Sequence, residues 1–360
     1  MSIDFGSNIS LSEAANLIAA IPDNRFLLEG EPGIGKSSIM KALKAKFGDA
    51  YSYAYFDCAQ KDLGDIAMPS PNRELRITEY FPNAALNLQS GKPVVIMLDE
   101  FAKAPPPVQN MLHPLLEEHN PRLGDVELPE GPNGEKSIVL LTSNLSTDGV
   151  GDVIKGHTLN RVTRVRVAKP DSDQWLEWAV NNDIEPVVMA WVKQFPHALA
   201  SYTEGNQSEN PYIYNPKAMQ KSYVSPRSLS RASNIVRKRE LISSNALTAA
   251  LSGTIGEAAA RDMQAYIAYQ DQLPTWDSIV TKPNDAPVPT SAGACAVLIF
   301  GAIMKVTKET MQPFMSYLER FEPEWQACFA INIAKNPQKQ SVAFSSSAFA
   351  NWVQQNEDLL

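Results

Sequence analysis

Apolar residues form short runs that alternate with helical stretches as far as about residue 170. Two runs, at 93–98 (PVVIML) and 137–142 (SIVLLT), are almost continuously apolar, which is typical of strands covered on both faces. Shorter runs at 25–29 and 51–56 predict two more strands, and the alternation of Val with Arg and Thr at 161–168 predicts an outer strand. Strands alternating with helices predict an α/β fold, with a mostly parallel sheet in a three-layer arrangement.

Local signals predict where the first helices and loops lie. Ser10 followed by Glu13 is a capping-box pattern and predicts a helix over 11–20. The spacing at 37–47 predicts a second helix, and the Pro- and Asn-rich stretch at 69–72 predicts a loop.

Beyond residue 170 the apolar spacing is helical, and no run predicts a strand. The Pro-rich stretch at 283–291 (PNDAPVPTS) is typical of a linker. We therefore predict an α/β domain over 1–170, a helical lid domain over 171–275 and a helical C-terminal extension over 276–360.

Several apolar segments of the helical part are expected to form its core. The run at 294–304 (ACAVLIFGAIM) is too short to span a bilayer and predicts a buried helix. The amphipathic segment at 316–332 could dock a partner, but packing against the lid is favoured because large exposed apolar faces are uncommon. Trp175, Trp178 and Trp191 lie in helical segments and are expected to be core residues.

Composition limits the classes of function. Hydrophobic residues make up 44% and charged residues 20% of the 360 residues, which excludes a mostly disordered chain. The net charge of −8 disfavours blanket nucleic-acid binding, although a local basic groove remains possible. The three cysteines are far apart and form no zinc-ligand spacing. The first ten residues do not resemble a signal peptide, so we expect a cytoplasmic protein without a membrane association.

A glycine-rich octet follows the first predicted strand and matches G-x-x-x-x-G-K-[ST]. Residues of this loop expected to surround phosphate groups are Gly30, Glu31, Pro32, Gly33, Ile34, Gly35, Lys36, Ser37 and Ser38. The glycines let backbone N–H groups point at phosphate oxygens, and the next helix presents its positive N-terminal end. Lys36 is expected to contact the β- and γ-phosphates of ATP, and the Ser37 hydroxyl to bind Mg²⁺. An ordinary glycine-rich turn is disfavoured by the strand–loop–helix context.

Two carboxylates, Asp99 and Glu100, close the predicted strand at 93–98. Ligands of α/β sheets bind at the carboxyl ends of the strands. Asp99 is therefore expected to hold Mg²⁺ and Glu100 to polarise the attacking water. The alternative is an acidic helix start, which is common after a strand. The upstream phosphate loop favours the catalytic interpretation.

The segment that begins at Asp99, DEFAKAPPPVQNML followed by LLEE at 115–118, resembles MoxR-type AAA+ ATPases. That family includes CbbQ- and NorQ-type activators and phage-encoded ATPases; TDGVGD at 147–152 and NRVT at 160–163 most resemble the phage-encoded members. Residues 121–136 resemble the hairpin that precedes the sensor strand. The resemblance implies a P-loop NTPase core of the AAA+ type with a helical lid.

The resemblance also implies roles for three more residues. Asn144 would hold the attacking water opposite Glu100, although an Asn that ends a strand is also a common turn residue. Arg161 would be the arginine finger that reaches the γ-phosphate bound by a neighbouring subunit. Arg164 and Arg166 are rival candidates for this role. Alternatively, all three arginines lie on an exposed face of a strand. Arg227, in Ser-Pro-Arg, would contact the γ-phosphate from the lid, although this tripeptide also suits a helix start.

The family resemblance implies Mg²⁺-dependent hydrolysis of ATP in a ring, most simply a hexamer. The work would be remodelling or activation of a separate client protein, and many relatives act with a von Willebrand factor A domain. That domain's Asp-x-Ser-x-Ser motif does not occur in this chain. The alternative is a nucleic-acid motor or loader for replication or packaging, and a third option is a scaffolding ring with little hydrolysis.

Overall fold

The computed structural model describes residues 8–145, 154, 156–217 and 220–356, so the motif at 147–152 lies outside the described residues. The chain divides into two compact units, Met1–Lys169 and Pro170–Leu360. The strands of the first unit are β1 (Phe26–Glu29), β2 (Ser52–Asp57), β3 (Ala67–Asn72), β4 (Ile77–Pro82), β5 (Val94–Asp99), β6 (Arg122–Leu123), β7 (Val126–Glu127), β8 (Ile138–Ser143) and β9 (Thr163–Arg166). Its helices are α1 (Leu11–Ala20), α2 (Ile39–Phe47), α3 (Pro106–Leu112) and α4 (Gly156–Leu159).

Within the described residues, five strands form a sheet in the order β2-β5-β8-β1-β9, and every pair in it is parallel. The predicted α/β fold is therefore confirmed. β5 and β8 are buried along their whole length, as their continuous apolar sequences predict. β9 is an edge strand, in agreement with its alternating sequence.

The pleat of the sheet divides the core of the first unit into two layers. Val95 and Met97 of β5 pack with α1 and α2 on one face, whereas Ile96 and Leu98 pack with α3 on the other. Successive residues of a strand point to opposite faces, so one apolar strand supplies both layers. The result is a helix–sheet–helix sandwich, and α1 begins with the predicted capping box of Ser10 and Glu13.

The prediction of a loop at 69–72 is wrong, because these residues belong to β3, which pairs with β4 as an antiparallel hairpin. Pro69 and Pro71 cannot donate to a ladder, but a two-stranded hairpin leaves one side of each strand unpaired, and prolines are tolerated there. A second hairpin, β6–β7, forms within the segment at 121–136 as the resemblance implies.

The two hairpins are joined to each other. The Tyr80 N–H of β4 donates to Asp125 Oδ2 at 2.6 Å, and the turn between β6 and β7 approaches the same residue. A side chain at Gly124 would lie 2.6 Å from Tyr80 O, so only glycine allows this close contact.

The described part of the second unit contains helices and loops, as predicted. Its helices are α5 (Ser172–Val180), α6 (Pro186–Gln194), α7 (Pro226–Arg237), α8 (Ser244–Ile255), α9 (Glu257–Asp271), α10 (Trp276–Thr281), α11 (Ala292–Lys305), α12 (Lys308–Leu318), α13 (Pro323–Ala334), α14 (Gln340–Phe344) and α15 (Ser347–Gln355). α11 contains the predicted buried run, and no helix in the described ranges is long and apolar enough to cross a membrane.

One hydrophobic core extends through the second unit. It includes residues of both the predicted lid and the predicted extension, and the amphipathic segment at 316–332 contributes Phe321 and Phe329 to it. The division at 275 stays a prediction. Trp175 and Trp191 are core residues as predicted, but Trp178 is 44% exposed because it lies on the outer side of α5.

Candidate functional site

The glycine-rich loop begins where β1 ends, and β1 lies between β8 and the edge strand β9. Gly30 allows a close approach, because a Cβ there would lie 2.6 Å from Ile34 Cδ1 and 2.9 Å from Val167 O. Gly33 and Gly35 have φ angles of 77° and 104°, which L-residues rarely adopt. After the loop, Lys36–Ser38 form a 3₁₀ turn and α2 begins at Ile39, so the α-helix starts two residues later than predicted.

Lys36 is 8% exposed, and its ammonium is held inside the loop. Nζ donates to Gly30 O at 2.7 Å, to Glu31 O at 2.9 Å and to Asn144 Oδ1 at 3.1 Å. Asn144 follows β8, so this bond connects the phosphate loop to a neighbouring strand. Lys36 and Asn144, both predicted site residues, are therefore in direct contact.

Asp99 is 8% exposed at the carboxyl end of β5 and accepts hydrogen bonds from three hydroxyl groups. Ser37 Oγ donates to Oδ2 at 3.2 Å, and the Tyr55 hydroxyl donates to the same oxygen at 2.5 Å. The Thr142 hydroxyl of β8 donates to Oδ1. Although Tyr55 is 54% exposed, partial desolvation and the bond to Asp99 raise the pKa of its hydroxyl, which therefore keeps its proton near neutral pH.

Glu100 has a left-handed backbone conformation, with φ at 51°. Its N–H donates to Thr142 Oγ1 at 3.1 Å, and its carboxylate lies 2.9 Å from Lys103 Nζ. The Glu100 side chain is 40% exposed, whereas Asp99 is buried. The turn therefore directs two successive carboxylates into different environments, which suits one metal ligand and one group accessible to water.

Tyr55 and Thr142 were not predicted as site residues. Thr142 ends a strand-length apolar run, and a hydroxyl at that position beside the two carboxylates was a signal that could have been used. Tyr55 lies in the predicted strand at 51–56, but no local pattern indicates its contact with Asp99.

The residues fit a nucleotide and Mg²⁺. Only glycine is accommodated at position 30, and the loop already surrounds a buried ammonium. A hydroxyl and a carboxylate, Ser37 and Asp99, are oxygen ligands of the kind Mg²⁺ prefers, and they lie within hydrogen-bond distance of each other.

Other residues of the loop have defined partners. The buried Glu31 carboxylate lies 4.0 Å from Lys169 Nζ, and the two side chains are 7% and 3% exposed. Ser38 Oγ donates to Gly35 O at 2.7 Å, and Gly30 N–H donates to Ser143 O at 3.3 Å. These contacts anchor the loop to β8 and to the chain after β9.

The three arginines at 161–166 have different environments. Arg164 forms a two-pronged ion pair with Glu29 of β1, with its closest N···O distance at 2.8 Å. Arg161 is one-third exposed; its Nη2 lies 3.1 Å from Glu117 Oε1, and its Nη1 donates to His113 Nε2 at 3.2 Å. Arg166 is half-buried at the end of the edge strand.

His113 is half-buried against Arg161 and the ring of His157. Burial and the nearby Arg161 guanidinium lower the pKa of His113, so its ring is neutral near pH 7 and Nε2 can accept a hydrogen bond. Arg161 is therefore oriented by a carboxylate and a neutral imidazole.

Arg227 belongs to the second unit. It is exposed in the first turn of α7, whose N-cap Ser225 forms a capping box with Ser228. The helix start that its sequence suggested is therefore present, and its contact with a γ-phosphate stays a prediction.

Residues 25–152 match the family model described as the AAA domain of the dynein-related subfamily. The solved structure of NtrX from Brucella abortus with ADP is 14% identical, with 97% of this chain and 67% of that chain covered and a TM-score of 0.40. The solved structure of the same protein with ATP is also 14% identical, with 98% of this chain and 69% of that chain covered and a TM-score of 0.37. The solved structure of a candidate ATPase from Cytophaga hutchinsonii is 14% identical to this chain and has a TM-score of 0.32. The match covers 69% of this chain and 82% of that chain.

These structural similarities are too low to transfer any property of those proteins to this chain. The family model matches the segment that begins at β1 and includes Lys36, Asp99 and Asn144. Residues 25–152 of this chain therefore form an AAA domain, of the kind found in AAA+ ATPases.

Proposed function

We propose that this protein is a MoxR-type AAA+ ATPase that hydrolyses ATP with Mg²⁺ in a ring and remodels or activates a separate client protein. The observation that carries the proposal is the convergence of Lys36, Ser37, Asp99 and Asn144 at the carboxyl ends of β1, β5 and β8.

Each side chain of the site would have its own role in hydrolysis. The Lys36 ammonium, which donates to carbonyls of its own loop, would donate to phosphate oxygens instead when the nucleotide binds. Ser37 and Asp99 would hold Mg²⁺, which would neutralise developing charge on the phosphates. Glu100 would accept a proton from the attacking water, and Asn144 would orient that water. Such catalysis consists of positioning and charge stabilisation.

A shared site in a ring is supported by the environment of Arg161. Both arginines are about one-third exposed and paired within the chain, but Arg164 is fixed by a two-pronged ion pair with Glu29, whereas Arg161 is oriented by Glu117 and His113. Arg161 is therefore the best candidate to complete a neighbour's site, as an arginine finger in trans. Arg227 would contribute from the helical unit.

A protein client is supported by the apolar surface of the first hairpin. Five of the twelve large apolar side chains that are exposed in the described part of the chain lie in this hairpin: Met68, Leu75, Ile77, Tyr80 and Phe81. Apolar side chains suit a polypeptide partner, and a separate protein with a von Willebrand factor A domain is one candidate. Capture of a client by Glu100→Gln protein with ATP tests this step.

The nucleic-acid alternative has less support. Arg237 of the basic cluster at 237–239 pairs with Asp183 and Glu185, and Arg239 pairs with Glu240 and Asp271. These carboxylates neutralise the positive charge that would be needed to bind the phosphate backbone of a nucleic acid.

The ring mechanism is tested by ATP turnover per subunit as a function of protein concentration. We expect turnover to rise steeply with concentration, and Arg161→Ala protein mixed into wild type to inhibit it, because a trans arginine can contribute about 10³- to 10⁵-fold in rate. Arg122→Ala is the matched control, since it removes an exposed arginine of β6 that has no proposed role. Turnover independent of concentration and of Arg161→Ala would contradict the shared site.

A further inference from the structure

Tyr55 contacts the candidate metal ligand from a strand that carries no recognised motif. β2 is an edge strand, and its register with β5 places Tyr55 beside Met97 and Asp57 beside Asp99. Met97 and Asp99 are two residues apart and point to the same face of the sheet, the face on which α2 packs. The Tyr55 hydroxyl therefore reaches past Met97 to Asp99 Oδ2.

The Asp99 carboxylate is fixed by hydroxyl groups on both of its oxygens. Ser37 and Tyr55 donate to Oδ2, and Thr142 donates to Oδ1. An ionised carboxylate offers about four acceptor positions, so these three bonds orient it and still leave room for a further partner. Ser37 comes from the phosphate loop, Tyr55 from β2 and Thr142 from β8, so the orientation depends on three separate elements.

We propose that Tyr55 is a positioning residue for the magnesium site: its hydroxyl holds the Asp99 carboxylate in the orientation in which Asp99 and Ser37 bind Mg²⁺. This inference rests on the proposed function only in taking Ser37 and Asp99 as the metal ligands. Hydrogen bonds to a ligating carboxylate typically change metal affinity or activity by roughly 10- to 100-fold when they are removed.

Tyr53, the nearest tyrosine on β2, makes a different hydrogen bond. Tyr53 lies on the same face of β2, but its hydroxyl donates to Gly48 O at 2.9 Å, at the end of α2. Tyr53→Phe therefore removes a hydroxyl from the same strand and the same face without touching Asp99. It is the matched control for Tyr55→Phe, which keeps the aromatic ring and removes only the bond to Asp99.

The test is equilibrium binding of a fluorescent ATP analogue to the full chain, first in EDTA and then across a Mg²⁺ titration. We expect Tyr55→Phe to raise the Mg²⁺ concentration for half-saturation by roughly 10-fold or more and to leave the affinity in EDTA unchanged. Tyr53→Phe should leave both values unchanged. Mn²⁺ binding with ADP, followed by electron paramagnetic resonance, should show the same pattern.

Two results would overturn the inference. One is a Mg²⁺ half-saturation in Tyr55→Phe equal to that of wild type. The other is an equal loss of affinity with and without Mg²⁺, which would mean that Tyr55 only maintains the shape of the loop. Binding requires no turnover, so the result is independent of whether the assembled protein hydrolyses ATP.

Discussion

Thr142 connects the two carboxylates of the candidate site. Its hydroxyl donates to Asp99 Oδ1 and accepts the N–H of Glu100. A left-handed non-glycine residue such as Glu100 costs on the order of 1–3 kcal/mol and persists only where its surroundings hold it. One fully buried hydroxyl therefore supports both the orientation of Asp99 and the turn that exposes Glu100.

We expect Thr142→Val to lower ATP turnover by roughly 10- to 100-fold, because it keeps the shape of the side chain and removes both hydrogen bonds. Steady-state turnover measures the effect, with thermal unfolding to show that the variant is folded. Thr142→Ser is the control, since it keeps the hydroxyl and should retain most activity. Equal turnover in Thr142→Val and wild type would show that the hydroxyl does not support the carboxylates.

The sequence allowed prediction of those site residues that belong to local motifs. Lys36 and Asp99 were predicted because a loop pattern and a strand end are visible in consecutive residues, and Asn144 was assigned by family resemblance. Tyr55 and Thr142 were not, since their contacts depend on the register between β2, β5 and β8. Register is a property of pairs of strands, which the pattern of one strand does not determine.

At the scale of elements, the first hairpin shows that a Pro- and Asn-rich composition can predict a loop where a strand forms. Pro69 and Pro71 indicated a loop, yet both lie in β3 opposite Tyr80 and Thr78. The contact of Tyr80 with Asp125 then joins this hairpin to β6–β7. The prolines are compatible with a strand because, among the described residues, the hairpin pairs with no third strand, and this depends on tertiary structure.

We expect the apolar side chains of this hairpin to contribute to client binding. Leu75→Ser, at a position 66% exposed, should reduce the client recovered on Glu100→Gln protein with ATP by about 5-fold or more, because an apolar anchor contributes roughly 1–2 kcal/mol of binding energy. Basal ATP turnover without client should not change. The measurement is quantitative recovery of the client.

Leu241→Ser is the matched control for this experiment. Leu241 is the same residue type at a position 78% exposed in the second unit. Its replacement removes the same apolar side chain away from the hairpin and should leave recovery unchanged. Equal losses for the two leucine variants would contradict a specific role for the hairpin and would indicate nonspecific apolar adhesion.

At the scale of the whole molecule, the second unit has a core that does not end at residue 275. α11 packs against α6 and α9, and six consecutive residues of α6, 187–192, are buried. A helix buried on all sides needs a cover on each face. The Pro-rich stretch at 283–291 is also held in place, since Arg320 Nη1 donates to Pro283 O and Ala286 O. Composition alone indicated a linker there because prolines terminate helices whether or not a domain ends.

A core substitution in α11 should therefore weaken the predicted lid as well as the predicted extension. Ile299 is fully buried, and we expect Ile299→Ala to cost about 2–5 kcal/mol and to lower amide hydrogen-exchange protection in α6 and α9 as well as in α11. Ile96→Ala, in β5, is the matched control for the first unit. A loss of protection confined to residues 276–360 would mean that the extension unfolds separately. Loss of protection from α6 to α13 would mean instead that the predicted lid and the predicted extension unfold as one cooperative unit.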